Sequence, residues 1–173
     1  FSPKRSQAWY MLANISLRKG DALSAGAEKV RFYREAISTI EEYSKMIPET
    51  AEPRYILATL YLTIGDRESA KHWADEALVL YPYDGSLATA KRASRYYVTI
   101  GDWTHAEQFL ADIVSISPDD YGALYDFAKA AFLAGHKEKG VAAAAVVKQY
   151  APTLFASDAQ FVRAYDAWVA EHK

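Results

Sequence analysis

The sequence predicts an all-α chain, a stack of about four helix-turn-helix repeats closed by a C-terminal helix, and three observations carry this. Gly65-Asp66, Gly101-Asp102 and Gly135-His136 are each followed, seventeen residues after the glycine, by a proline: Pro82, Pro118 and Pro152. Pro48, Pro82, Pro118 and Pro152 lie 34, 36 and 34 residues apart, the period of a helical repeat array. Fixed offsets before each glycine recover apolar or small residues: Leu57, Ala58 and Tyr61; Ala93, Ser94 and Tyr97; Phe127, Ala128 and Ala131.

Each period reads as a helix pair. Glycine takes the left-handed conformation that ends one helix, Asp begins the next, and proline stops a helix that cannot run through it. The fifth residue after each glycine is small, at Ala70, Ala106 and Gly140, so that two antiparallel helices can approach closely. The expected repeats are residues 6–50, 51–86, 87–120 and 121–154, within a single domain of residues 1–173.

The first repeat departs from the pattern, because Gly20 precedes Pro48 by 28 residues, eleven more than elsewhere. Eleven residues are close to three helical turns, so the insertion can lengthen a helix and keep its buried face. Leu23, Ala27, Val30, Ile37 and Ile40 continue one stripe, which predicts a lengthened second helix starting near Ser24. A loop over residues 21–26 is the alternative, and Gly26 favours it. After Pro152, Ser157-Asp158 can cap a closing helix over residues 157–172. Phe161, Ala164, Tyr165, Trp168 and Val169 would face the stack, with Arg163, Asp166, Glu171 and Lys173 outward. Trp168 as an exposed docking aromatic is the alternative.

The net charge is −2, divided as +2, −3, −2 and +1 over residues 1–50, 51–86, 87–120 and 121–173. No segment is basic enough to suggest nucleic acid as a partner. The chain contains no cysteine, which excludes disulfides and thiolate metal sites and leaves the compartment open. Its longest apolar stretch, residues 141–147, is too short to cross a bilayer, so membrane insertion is not expected. Asn14-Ile15-Ser16 matches a glycosylation sequon but falls inside a predicted helix.

No catalytic signature is present. His72, His105, His136 and His172 are scattered, without an HExxH motif, and the chain has no G-x-S-x-G, P-loop or G-x-G-x-x-G. His72 and Glu76, four residues apart, could hold a surface metal, though such pairs are common on solvated helices. No enzyme activity, cofactor or metal is expected.

The repeat pattern resembles the tetratricopeptide repeat (TPR) family, whose consensus is W-x2-L-G-x2-Y, then A-x3-F, then P. Trp9-x2-Leu12-Ala13, Leu57-Ala58-x2-Tyr61, Ala36-x3-Ile40, Ala70-x3-Ala74 and Ala106-x3-Leu110 carry the resemblance, over roughly residues 6–152. Ala74 and Ala144 stand where the second helix usually has an aromatic, and Trp73 is placed to fill the first of these gaps. The resemblance implies a right-handed superhelical stack whose first helices line a concave surface that binds a peptide or partner protein. By that resemblance the contact residues are Tyr10, Asn14 and Arg18; Tyr55, Thr59 and Thr63; Lys91, Arg95 and Thr99; and Tyr125, Lys129 and Phe132. The cations suit an acidic side chain or a C-terminal carboxylate. The family's carboxylate clamp is not reproduced, because Tyr10, Ile56 and Ala88 replace three of its polar residues and only Asn14 and Arg92 remain.

Two further arrangements are compatible with the sequence. The run Ser2-Pro3-Lys4-Arg5 into Trp9 is similar to the C-terminal repeat tails of bacterial O-antigen ligase and polymerase-like proteins, and the chain begins with Phe1. That similarity implies a soluble appendage of a polytopic membrane glycan ligase or polymerase. A repeat stack with exposed ends can also pair with itself as a homo-oligomer.

Overall fold

The computed structural model describes residues 3–24 and 26–172, with side chains from Gln7 onward. Ser2 of the N-terminal run, the side chains of Pro3, Lys4 and Arg5, and Lys173 of the closing helix lie outside the described residues. All regular structure among the described residues is helical: α1 (Pro3–Asp21), α2 (Ala27–Met46), α3 (Glu52–Thr63), α4 (Arg67–Leu80), α5 (Leu87–Ile100), α6 (Trp103–Ile116), α7 (Tyr121–Leu133), α8 (Lys137–Tyr150), α9 (Pro152–Phe155) and α10 (Ala159–Glu171). The chain groups into two compact units, residues 1–89 and 90–173.

The glycine steps work through a shared backbone motif. Gly65, Gly101 and Gly135 have φ of 85°, 76° and 97°, which a residue with a Cβ adopts only with strain. The residue after each glycine then donates its N–H to a carbonyl five residues back: Asp66 to Tyr61 at 2.9 Å, Asp102 to Tyr97 at 3.0 Å and His136 to Ala131 at 2.9 Å. This is the Schellman closure, which satisfies a carbonyl at the helix end. Asp66 and Asp102 immediately begin the next helix, their carboxylates accepting from Ser69 N–H at 3.0 Å and His105 N–H at 3.2 Å.

His136 departs from this for a structural reason. It makes no side-chain cap, and its Nδ1 lies 2.6 Å from the Glu107 carboxylate of α6, which Lys139 also reaches at 2.8 Å. Glu107 is buried. Burial pushes its carboxyl up, but the hydrogen bonds from Lys139 and His136 outweigh this and leave it below the usual range.

Gly20 does not end its helix. It lies inside α1 without a positive φ, and a Cβ there would sit 3.3 Å from the Tyr33 ring, so it serves close packing of α1 on α2. The left-handed role moves to Gly26, at φ 111°, directly before α2. The insertion therefore divides between helix and loop: α2 has 20 residues against 14 in α4, α6 and α8, and starts at Ala27 rather than near Ser24. Ile37 and Ile40 are buried, Leu23 and Val30 half-buried and Ala27 exposed, so the apolar stripe fades toward the added end.

The core of the first unit joins Ala13, Tyr33, Ala36, Ile37, Ile40, Leu57 and Leu60, with Trp73 packed against it. Tyr61 ties α3 to α2 by donating to Glu41 at 2.6 Å; burial, followed by that hydrogen bond, pushes its phenol up to about 12. In the second unit, Tyr97 stacks on Phe109 with centroids 5.5 Å apart, joining α5 to α6. Tyr125, Ala128, Ala144, Val147, Phe155, Phe161 and Tyr165 form the other core cluster. Pro152 opens the short helix α9, which the sequence reading lacked, and delivers Phe155 edge-on to Tyr165 at 5.2 Å. Phe161 and Tyr165 of α10 are buried, and Trp168 and Val169 half-buried.

Two stability outcomes follow. A Cβ at Gly140 would lie 2.7 Å from both the Ala128 carbonyl and the Phe132 nitrogen, so the backbone itself must shift. Overpacking of this kind costs about 1–3 kcal/mol and exceeds the roughly 1 kcal/mol that alanine gains in helix propensity. Gly140→Ala should therefore lower stability by about 1 kcal/mol in urea denaturation, and an unchanged midpoint would show that the helices have room to part. Asp158 accepts from Gln160 and Phe161 N–H groups at 3.0 and 3.1 Å, so Asp158→Ala should cost about 1 kcal/mol at neutral pH. The hydrogen bond from Lys129, then that from Phe161 N–H, holds the Asp158 carboxyl below its ordinary 3.8. Its contribution is present above that value and is lost as pH falls through the lowered one, so wild type and variant should converge in acid.

Candidate peptide-binding surface

The structure separates the twelve expected contact residues into distinct roles. Tyr55 and Tyr125 are 0% and 7% exposed, so their rings belong to the cores and offer no contact surface. This corrects the helical phase assigned to them. Burial raises the Tyr125 phenol, with the Asp158 charge adding to it. Tyr10 is half-buried, edge-on to Tyr43 at 5.2 Å. Asn14 and Arg18 are exposed on α1.

The threonines hydrogen-bond to their own helices. Thr59 donates to the Tyr55 carbonyl at 2.9 Å, Thr63 to that of Thr59 at 2.8 Å and Thr99 to that of Arg95 at 2.8 Å. Phe132 is half-buried and meets Phe161 edge-on at 5.7 Å. Lys129 pairs with Asp158 at 2.6 Å, which ties α7 to the start of α10 and engages its charge.

Lys91 and Arg95 differ from these. They are exposed one turn apart on α5, and neither side chain has a hydrogen-bond or ion-pair partner among the described residues. Together with Val98 they line a hollow of about 320 Å³, with Leu110 and Ile113 of α6, Asp120 at the N-cap of α7 and Asp126 within α7. Asp120 caps α7 by accepting from Ala123 N–H at 3.0 Å. Asp126 makes no ion pair. Although solvent reaches the residue, the surrounding protein partly desolvates its carboxylate and raises it above the ordinary range; Lys129 opposes the shift and Asp120 adds to it.

The sequence reading missed both aspartates. The signal for Asp126 was available, since it occupies the repeat position of Met11, Ile56 and Arg92, next to core Phe127 and one turn before Lys129.

Elsewhere several titratable groups tie helices together. His72 Nε2 lies 3.3 Å from Glu76, whose other oxygen accepts from buried Arg54 at 3.3 Å. Among the described residues no three His, Cys, Asp or Glu side chains are grouped to hold a metal ion, and no helix is long and apolar enough to cross a membrane.

This arrangement of helix pairs has counterparts among solved structures. The structure described as MamA 41-end from Desulfovibrio magneticus RS-1 superposes with a TM-score of 0.60 at 21% identity, covering 84% of this chain and 75% of that one. The MamA RS-1 ArsTM double mutant gives 0.61 at 19% identity, covering 95% and 92%. The fold is TPR-like. MamA is a TPR-type helical repeat protein. No protein-family model and no curated protein matches the chain. The resemblance to O-antigen ligase tails has no counterpart in these structures.

The raised Asp126 carboxyl has a measurable consequence. A raised folded-state value means that its contribution to stability is complete below the ordinary 3.8 and is lost as pH rises through the raised value. Asp126→Asn should therefore melt slightly above wild type at neutral pH and lose that advantage below about 3.8, as read by thermal denaturation across a pH series.

Proposed function

We propose that this chain is a non-catalytic protein-interaction scaffold that holds a peptide or partner segment on its first-helix surfaces, with the hollow between α5 and α7 as the principal contact. One observation carries the reading: Lys91 and Arg95, whose side chains have no hydrogen-bond or ion-pair partner among the described residues, line one hollow together with Asp126 and the apolar Val98, Leu110 and Ile113.

Such a hollow suits a segment that brings an acidic side chain or a C-terminal carboxylate to the two cations. The planar Arg95 guanidinium can grip a carboxylate through two parallel hydrogen bonds, and Lys91 adds a mobile point charge. A small apolar side chain would cover the floor, and a donor or cation beside it would meet Asp126. No new charge needs burying without a partner, which is the usual cost of placing ions at an interface. In the first unit, Asn14 and Arg18 on α1 offer a separate polar surface for the same class of ligand.

The test is a panel of acidic, neutral and basic peptides, some ending in a free carboxylate, titrated against wild type and Lys91→Glu/Arg95→Glu. Acidic peptides should bind wild type, and the double variant should weaken them by about tenfold or more, the scale of losing two charge-assisted contacts. Both residues are exposed, so the melting temperature should change little. Undiminished binding of acidic peptides by the double variant defeats the reading.

A further inference from the structure

The α1 helix carries a second surface, independent of the hollow. Leu12 and Ile15 are 56% and 52% exposed, and Met11 beside them is exposed too. Aligning the repeats on their glycines places Leu12 with Leu57 and Phe127, and Ile15 with Leu60 and Ala130. Those four are 0%, 8%, 6% and 1% exposed. Leu57 and Leu60 are covered by Ile37 and Ile40 of α2, the second helix of the preceding repeat. The first repeat thus presents the apolar half of an inter-repeat seam whose other half, in later repeats, is a helix.

Charge narrows what fits there. Residues 1–20 contain Lys4, Arg5, Arg18 and Lys19 and no acidic residue, and Arg18 and Lys19 are exposed on α1. We propose that this face docks an amphipathic helix of another protein, with an apolar stripe at helical spacing and carboxylates on its flanks. The α2 helix shows the form such a partner takes, since it sets Ile37 and Ile40 into the seam while Glu41 reaches across to Tyr61.

A second copy of this chain is a poor occupant. Packing α1 on α1 adds cations to cations, so a copy pairing through this same face is disfavoured. Anionic lipid would meet the same charges and the same apolar row, and vesicle flotation distinguishes it from a helix.

The experiment uses a side-chain-stapled helix of about five turns with Ile and Leu at seam spacing and Glu on both flanks, and a twin with Lys in place of Glu. Fluorescence anisotropy should show the Glu peptide binding at least about tenfold more tightly than its Lys twin. Leu12→Asp/Ile15→Asp should abolish that binding with unchanged helical circular dichroism, whereas Lys91→Glu/Arg95→Glu should leave it intact. Equal affinity of the twins, no binding of either, or binding that survives Leu12→Asp/Ile15→Asp overturns the proposal. So does concentration-dependent dimerisation in sedimentation, or flotation with phosphatidylglycerol vesicles, that the same double variant removes, since the face would then belong to a second copy or to a membrane.

Discussion

The near-contact of two helix backbones within a repeat is the constraint on which the rest of the structure depends. At Gly140 the approach leaves no space for even one methyl group, because the Ala128 carbonyl and Phe132 nitrogen occupy it. Ala70 and Ala106 mark the same crossing in the preceding repeats. In the three later repeats the close helices are joined by a very short connection, the Schellman closure, which passes directly to an aspartate cap at Asp66 and Asp102 and to His136 in the last. With the backbones fixed, larger side chains such as Leu57 and Phe109 are driven to the flanks of the crossing, where they form the seams. Tight crossing, short turn and flanking core are consequences of a single geometric demand.

That demand is local in sequence, which is why so much of the architecture could be read from it. A glycine with positive φ, an aspartate cap and a small residue five positions on all lie within a few residues of one another. Features set by distant partners were not legible. Lys129 looked like a groove cation, but its counter-ion Asp158 lies 29 residues away and holds it in the structure. Tyr55 and Tyr125 sit at a helical phase on the border between core and surface, where neighbouring helices decide burial. Gly20 matched the repeating pattern by type and failed it by conformation, because the insertion that follows moved the chain reversal to Gly26. Asp126 breaks a repeat position that holds Met11, Ile56 and Arg92 elsewhere, and that much was legible; the residues that line the hollow with it come from helices distant in sequence, and they were not.

Charge is distributed between structural and available roles. Glu107, His136 and Lys139 form one closed set, Arg54, Glu76 and His72 another, and Lys129 with Asp158 a third. Each holds one helix to another or steadies a helix terminus. Lys91 and Arg95 lie outside these sets, as do other exposed charges such as Arg67 and Arg163, and neither of the two side chains has a hydrogen-bond or ion-pair partner among the described residues.

The threonines of the first helices sharpen this further. Thr59, Thr63 and Thr99 look like a hydrogen-bonding row, yet each spends its proton on a carbonyl one turn back. A visiting chain therefore meets lone pairs and methyl groups there instead of donors, and its own backbone carbonyls find little to hold. These hydroxyls are thus closed to an outside acceptor, and any pull from the exposed cations Lys91 and Arg95 reaches about 8 Å at physiological salt, so added salt should weaken that part of a contact.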